Sequence, residues 1–143
     1  MTGNEKWGMI KRQPGVVGRS GLSSDMRDIE SAGAEGNERA KLALCVYYYR
    51  VKKYVGAYAA VMGGLDLVVF TGGVGENDPS FREYVCSNME FLGLELDADI
   101  NRGLRGKDTI ISKPGSRVKA ALIATNEELV IATDTFSIVN NCR

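Results

Sequence analysis

The stretch that decides the fold reads LDLVVFT at residues 65–71, GGVGEN at residues 72–77 and DPS at residues 78–80. The first part is a short apolar run rich in β-branched residues, which is typical of a buried strand covered on both faces. Asp78 as the N-cap and Pro79 at the first helical position indicate the start of a helix. The stretch therefore predicts a strand, a glycine-rich loop and a helix of an α/β sheet. In such sheets, ligands bind at the carboxyl edge of the strands.

Upstream of this stretch, the sequence predicts one long helix. Asn37 is a suitable N-cap, apolar residues then recur at steps of three and four for about 25 residues, and Gly63-Gly64 forms a C-cap. The tyrosines at positions 47, 48 and 49 point in three directions, which predicts more than one packed face. Residues 15–24 contain several glycines and are interpreted as turns with at most a short strand, whereas a short helix capped by Ser24 or Asp25 is predicted to follow them.

Downstream, residues 109–111 and 118–123 are two further strand candidates separated by the Pro114-Gly115 turn. The last helix is predicted to begin with a capping box formed by Thr125 and Glu128, which have the required spacing. Because strands and helices alternate along the chain, the fold class is α/β.

The composition excludes several classes of function. The chain has 143 residues, enough for one domain or a large part of one, and its 18 basic and 18 acidic residues cancel. A nucleic-acid surface or a polybasic membrane patch needs an excess of cations, so neither is expected. No apolar run approaches the roughly 20 residues of a membrane helix, and residues 1–6 lack a hydrophobic signal region, so a cytoplasmic protein is expected.

The absence of histidine narrows the chemistry further. Ser–His and Cys–His nucleophile pairs, histidine general bases and histidine-bound metals are impossible within this chain. Any catalysis has to use carboxylates, arginines, backbone amides or a bound cation. The three widely spaced cysteines fit no zinc or disulfide pattern, and we interpret them as reduced, with Cys45 and Cys86 as small buried residues.

Three segments are candidates for a binding site. In the first, residues 72–77, glycines let a ligand approach the backbone closely, and the following helix start favours a phosphate. This segment matches neither the P-loop motif, which needs Lys-Ser or Lys-Thr, nor the dinucleotide motif, since Asp78 stands where a third glycine belongs. The alternative is a tight turn in which the glycines serve packing alone.

The other two candidate segments each have a structural alternative as well. Residues 23–28 combine hydroxyls, two carboxylates and an arginine that suit a ribose or a phosphate, or else a helix cap with a surface ion pair. Residues 126–128 offer Glu127, a hard oxygen ligand suited to Mg²⁺, or else first-turn acids that complement the helix dipole.

These segments, in this order and spacing, resemble the C-terminal part of the acetate kinase family, which belongs to the superfamily of acetate and sugar kinases, heat-shock chaperone ATPases and actin. The similarity covers about residues 8–139 and rests on five motifs, which are SGLSSDMRD at residues 20–28, NERAKLA with KKYVGAY at 37–58, FTGGVGEN at 70–77, FLGL at 91–94, and TNEEL with IATDT at 125–135.

The resemblance implies a fold and an activity. It implies a partial ribonuclease H-like, actin-like ATPase domain, with a mixed sheet and flanking helices, in which residues 1–143 form the C-terminal nucleotide-binding half of the enzyme, incomplete at its N-terminal edge. The implied reaction is reversible transfer of a phosphoryl group from ATP to acetate with Mg²⁺, which gives ADP and acetyl phosphate.

The resemblance also assigns residues to sites. The adenosine pocket would be lined by Asp25, Met26 and Arg27. The nucleotide would be wrapped by Gly73, Val74, Gly75, Glu76 and Asn77. Glu127 would act on the magnesium ion through water.

The catalytic groups of the family have no counterpart in this chain. In the family, the acetate pocket, the arginine pair, the essential aspartate and the transition-state histidine lie upstream of the matched region, so no catalytic residue is assigned here. We therefore expect the chain alone to be inactive. Because family members dimerise through their C-terminal halves, a non-catalytic dimerisation and nucleotide-binding module is an alternative, as is a related propionate or butyrate kinase.

Overall fold

The computed structural model describes residues 15–141, which divide into two compact units. The first unit contains the described residues up to Leu65 together with Tyr84–Ser87, and the second contains Asp66–Glu83 and the described residues from Asn88 onward. The helices are α1 (Val16–Ser20), α2 (Met26–Ala34), α3 (Glu38–Met62), α4 (Gly72–Asn77), α5 (Pro79–Cys86), α6 (Ala98–Asn101) and α7 (Glu127–Asn141), and the strands are β1 (Leu67–Phe70), β2 (Thr109–Ile110) and β3 (Lys119–Leu122).

The first unit is helical and is organised around α3. The predicted N-cap is confirmed, because the Asn37 side chain accepts hydrogen bonds from the backbone N–H groups of Arg39 and Ala40. The predicted end is also confirmed, since Gly63 is the C-cap in the left-handed conformation. A small core joins α2 to α3 through Ile29, Ala40 and Ala43.

Two local expectations for the first unit are wrong. Residues interpreted as turns form the short helix α1, whose residue Val16 packs against the core between α2 and α3. This packing selects a helix where the local sequence suggests glycine-rich turns with at most a short strand. Cys45 is exposed, because it lies on a face of α3 that the described residues leave uncovered, whereas Cys86 is buried as expected.

The second unit contains a three-stranded mixed sheet of order β1-β3-β2. β1 is parallel to β3, with Phe70 opposite Leu122, and β2 is antiparallel to β3, with Ile110 opposite Ala121. The core of this unit lies on one side of the sheet and includes Phe70, whose ring meets that of Phe81 edge to face at 5.9 Å. The fold is thus α/β with a small mixed sheet and flanking helices, as predicted.

β1 is less buried than its sequence predicts. Leu67 and Val69 are both 47% exposed, and Phe70 is the buried member of the strand. The expectation of a strand covered on both faces is therefore wrong for the described residues, because a continuous apolar run does not indicate which of its faces has a neighbour.

The short apolar stretch after α5 is a 3-10 helix, Glu90–Leu92, and the polar segment after it includes α6, capped by Asp97.

Candidate functional site

The glycine-rich segment after β1 is a short helix, not the loop that the sequence predicts. Thr71 is extended, Gly72 has a φ of 69°, and α4 runs from Gly72 to Asn77. The Glu76 side chain closes this turn by accepting a hydrogen bond from the N–H of Gly72 at 3.0 Å. Side-chain contacts of this kind stabilise a glycine-rich turn that has little intrinsic helix propensity.

The glycines of α4 have different surroundings. A Cβ on Gly75 would lie 3.1 Å from the carbonyl carbon of Phe70, so this glycine allows α4 to pack against β1. A Cβ on Gly73 would meet no atom within 4 Å, and Gly73 is exposed. The packing interpretation thus holds for Gly75, whereas Gly73 leaves its backbone open to an approaching ligand.

The C-terminal end of α4 is held by a buried arginine that sequence reasoning missed. Arg82 is fully buried, and its guanidinium donates to the carbonyl oxygens of Gly75 at 2.8 Å and of Glu76 at 3.0 Å. It also donates to the Asn101 side chain at 2.8 Å and to the carbonyl of Leu104 at 2.7 Å. In the sequence, the only signal is that Arg82 immediately follows an apolar residue in the helix that begins at Pro79.

A single carboxylate connects two of the candidate segments. Oε1 of Glu76 accepts hydrogen bonds from both the N–H and the hydroxyl of Thr125, each at 2.8 Å. These bonds, together with the one from Gly72, hold the pKa of the Glu76 carboxyl below its usual range, and burial opposes them only in part. The structure therefore bonds Glu76 to Thr125, which lies two positions before Glu127 in the sequence.

The start of α7 differs from the predicted capping box. Asn126 is the N-cap, since its Oδ1 accepts a hydrogen bond from the N–H of Leu129 at 3.0 Å. Thr125, the expected cap, is instead bonded to Glu76, and the assignment of Glu128 to a capping box is wrong. Glu127 and Glu128 are both exposed in the first turn of α7.

The predicted adenosine residues lie in the first unit, at the start of α2. Asp25 is the N-cap of this helix, and it also forms a two-pronged ion pair with Arg27, with Nε to Oδ1 at 3.0 Å and Nη2 to Oδ2 at 2.5 Å. Hydrogen bonds from the side chain and backbone of Arg27 lower the pKa of Asp25 to about 2. Met26 is partly buried, whereas Arg27 is exposed. The helix-cap alternative is thus realised here, and a nucleotide role for these residues stays a prediction.

The sequence comparison identifies the family. Residues 1–133 match the profile of the Acetokinase family, which is more than nine-tenths of the chain. The chain belongs to the acetokinase family.

Individual members of the acetokinase family are similar in both sequence and structure. The acetate kinase of Porphyromonas gingivalis is 56% identical over 131 residues, which are 92% of this chain and 33% of that protein. The crystal structure of the P. gingivalis acetate kinase matches with a TM-score of 0.86 at 52% identity, over 97% of this chain and 35% of that one. A propionate kinase from Francisella tularensis subsp. tularensis matches with a TM-score of 0.76 at 36% identity, over 92% and 33% of the respective chains. This member of the acetokinase family therefore spans about a third of the length of the curated relatives that it matches.

Between residues 15 and 141, no three Asp, Glu, Cys or His side chains lie close enough to hold a metal ion. Magnesium in nucleotide sites usually keeps several waters and takes one or two carboxylates together with substrate phosphates. Glu127, exposed at the start of α7, fits that limited role.

The described helices also bear on membrane contact. Within the described range, no helix of this acetokinase-family chain combines the length and hydropathy needed to cross a bilayer.

Proposed function

We propose that this chain is the C-terminal nucleotide-binding part of an acetate kinase-type enzyme, incomplete at its N-terminal edge. In the proposed reaction, an acetate oxygen forms a bond to the γ-phosphorus of ATP while the bond from that phosphorus to the β–γ bridging oxygen breaks. The products are ADP and acetyl phosphate. The observation that carries the proposal is the contact of Glu76 with Thr125, which joins the glycine segment to the start of α7 in a chain of the acetokinase family.

The proposal assigns a task to each candidate residue. Asp25, Met26 and Arg27 line the adenosine pocket, and the backbone of the segment from Gly73 to Asn77 follows the polyphosphate. The exposed carboxylate of Glu127 holds Mg²⁺ through water. When bound, the cation neutralises charge on the phosphates, which is the main requirement of phosphoryl transfer.

We expect the 143-residue chain alone to bind nucleotide without turning over acetate. The chain contains no histidine, and we infer from its resemblance to the family that the acetate pocket and the arginine pair lie outside it. A coupled assay for ADP formation with acetate, ATP and Mg²⁺ measures this. Ordinary acetate kinase rates from the purified chain would contradict the expectation.

Binding is tested at Gly73 by isothermal titration calorimetry with Mg-ATP. A Gly73→Ala change adds a methyl group where the structure has open space, so folding is preserved while the approach of the phosphates to the backbone is hindered. We expect about tenfold weaker binding, equivalent to ~1.4 kcal/mol. Gly115→Ala is the matched control, because its added Cβ also meets nothing within 4 Å. If the wild-type chain shows no heat of ATP binding, the proposed function is wrong.

A second candidate function is a non-catalytic dimerisation module. It is favoured by α3, on which large apolar side chains remain exposed, including Tyr49, Tyr54, Tyr58, Val61 and Met62. Under this hypothesis, two copies associate into a homodimer. Sedimentation velocity with and without Mg-ATP separates the two functions, because a dimer indifferent to nucleotide favours the module.

The carboxylate acceptor is also a proposal. The similarity to a propionate kinase keeps a propionate or butyrate acceptor as the alternative to acetate. The full enzyme containing this chain, assayed with each acid, decides between these acceptors.

A further inference from the structure

We propose that Glu76 is a positioning residue that sets the start of α7, and with it Glu127, against the glycine segment, so that cation and polyphosphate are bound together. This inference rests on the proposed function and deepens it. It gives Glu76 an indirect role, distinct from contact with the nucleotide.

The first argument is that the Glu76 carboxylate is already engaged in hydrogen bonds within the chain. Its Oε1 accepts from the N–H of Gly72 at 3.0 Å and from the N–H and hydroxyl of Thr125 at 2.8 Å. An ionised carboxylate has only acceptors, so it repels a phosphate and cannot donate to one. With Glu76 9% exposed, its bonds within the chain account for the side chain better than a direct nucleotide contact.

The second argument is the position of its partner. Thr125 precedes the N-cap Asn126, which in turn precedes Glu127 at the first position of α7. A bond at Thr125 therefore holds the backbone from which the Glu127 side chain projects. Bonds to a charged acceptor are stronger than neutral ones, so this contact resists displacement of the α7 start.

The third argument is that the other end of the contact is held firmly. Arg82, fully buried, donates to the carbonyl of Glu76 itself and to that of Gly75. The backbone on which the Glu76 carboxylate stands is thereby anchored in the second unit. Because its backbone is anchored, the Glu76 carboxylate holds Thr125 in a defined position.

The test separates positioning from general stability by measuring ATP affinity with Mg²⁺ and, in EDTA, without it. Thr125→Val removes the hydroxyl donor and keeps the β-branched shape, and Glu76→Gln removes the charge and keeps the size. For each variant we expect Mg-ATP affinity to fall about three- to tenfold, the loss typical of one hydrogen bond, while ATP affinity in EDTA changes less than about twofold. Thr125→Ser restores the hydroxyl and is expected to restore the Mg²⁺ effect.

The matched control is Thr109→Val, which removes a hydroxyl that donates to the Lys107 carbonyl and touches neither Glu76 nor α7. It is expected to keep the wild-type ratio of the two affinities. Equal losses with and without Mg²⁺ in Thr125→Val and Glu76→Gln, or no loss in either, would overturn the positioning role. Absence of ATP binding by the wild-type chain would instead overturn the proposed function, and this inference with it.

A second measurement needs no variant and covers the case in which Thr125→Val does not fold. The N–H groups of Gly72 and Thr125 donate to the same oxygen, so Mg-ATP should slow the hydrogen exchange of both in the wild-type chain. In the proposal, the cation binds at Glu127 at the start of α7. Without the cation, ATP in EDTA should therefore slow hydrogen exchange of the Thr125 amide less than Mg-ATP does. Exchange at Thr125 that is unchanged by Mg-ATP would contradict the proposal.

Discussion

At the scale of single residues, the second unit depends on a polar group that its sequence gives little reason to single out. Arg82 is fully buried and satisfies carbonyl oxygens of Gly75, Glu76 and Leu104. A charged side chain is buried only where it finds partners of this kind. Its removal leaves several buried acceptors without donors, and changes of this kind cause some of the larger losses in the free energy of unfolding.

We therefore expect Arg82→Met to destabilise the chain by about 3 kcal/mol or more. The measurement is urea unfolding followed by circular dichroism. Arg102→Met is the control, since Arg102 is exposed and its side chain forms a loose ion pair with Asp99 at 3.7 Å as its one ion pair within residues 15–141. That variant should change stability by less than about 0.5 kcal/mol. Similar losses in both variants would show that burial of Arg82 is not what stabilises the unit.

Gly93 is a position where a glycine is required by its backbone. Its φ is 86°, and an added Cβ would lie 2.8 Å from Nε of Arg117. Gly93→Ala should cost about 1–2 kcal/mol, the strain of a left-handed residue with a side chain. Gly56→Ala, inside α3 and with nothing within 4 Å of the added Cβ, should instead stabilise by about 0.5–1 kcal/mol. Thermal unfolding of the two variants checks the opposite signs, and a stabilising Gly93→Ala would contradict the backbone argument.

At the scale of elements, local capping signals correctly identify the starts of α2, α3 and α5, where no distant residue competes for the capping group. Asn37 caps α3 as predicted, and Asp25, one of the two predicted candidates, caps α2. Asp78 accepts from the N–H of Phe81 at the start of α5, also as predicted. Thr125 is the exception, because Glu76 takes its hydroxyl and its N–H, which passes the capping role to Asn126.

The contact between α4 and the start of α7 predicts a pH dependence. The pKa of Glu76 is lowered in the folded chain, so its contribution to stability is present above the ordinary carboxyl pKa of about 4.3. This contribution is lost as the pH falls through the lower folded value. The difference in unfolding free energy between wild type and Glu76→Gln should therefore be constant from about pH 5 to pH 7 and shrink below about pH 4.

Urea unfolding of both proteins at a series of pH values gives this difference directly. Asp25, whose pKa is about 2, titrates in both proteins and cancels in the comparison. A difference that grows as the solution is acidified would mean that the folded chain does not favour the ionised form of Glu76.

At the scale of the whole molecule, apolar surface remains open in both units. In the first unit, this apolar surface lies on α3. In the second unit, it lies on β1 and on α7, where every residue is exposed. β1 forms one edge of the sheet built by the described residues, with Leu67 and Val69 partly exposed. Open strand edges promote pairing with other chains.

We expect Val69→Lys to reduce concentration-dependent association of the chain, because a charge on an edge strand opposes pairing. Sedimentation velocity at several concentrations measures it. Ala98→Lys adds the same charge at an exposed position away from the strand and serves as the control. Equal association of wild type and Val69→Lys would show that contacts elsewhere, such as those of α3, dominate.

The sequence by itself determined the α/β class, both ends of α3, the proline-started helix α5 and the family. These follow from signals within a few residues of each other, such as caps, apolar periodicity and short motifs. Only the tertiary structure decided that the glycine segment is helical, that Arg82 is buried beneath it and that Glu76 bonds to Thr125. The reason is distance along the chain, since Glu76 and Thr125 are 49 positions apart and only folding of the sheet brings donor and acceptor together.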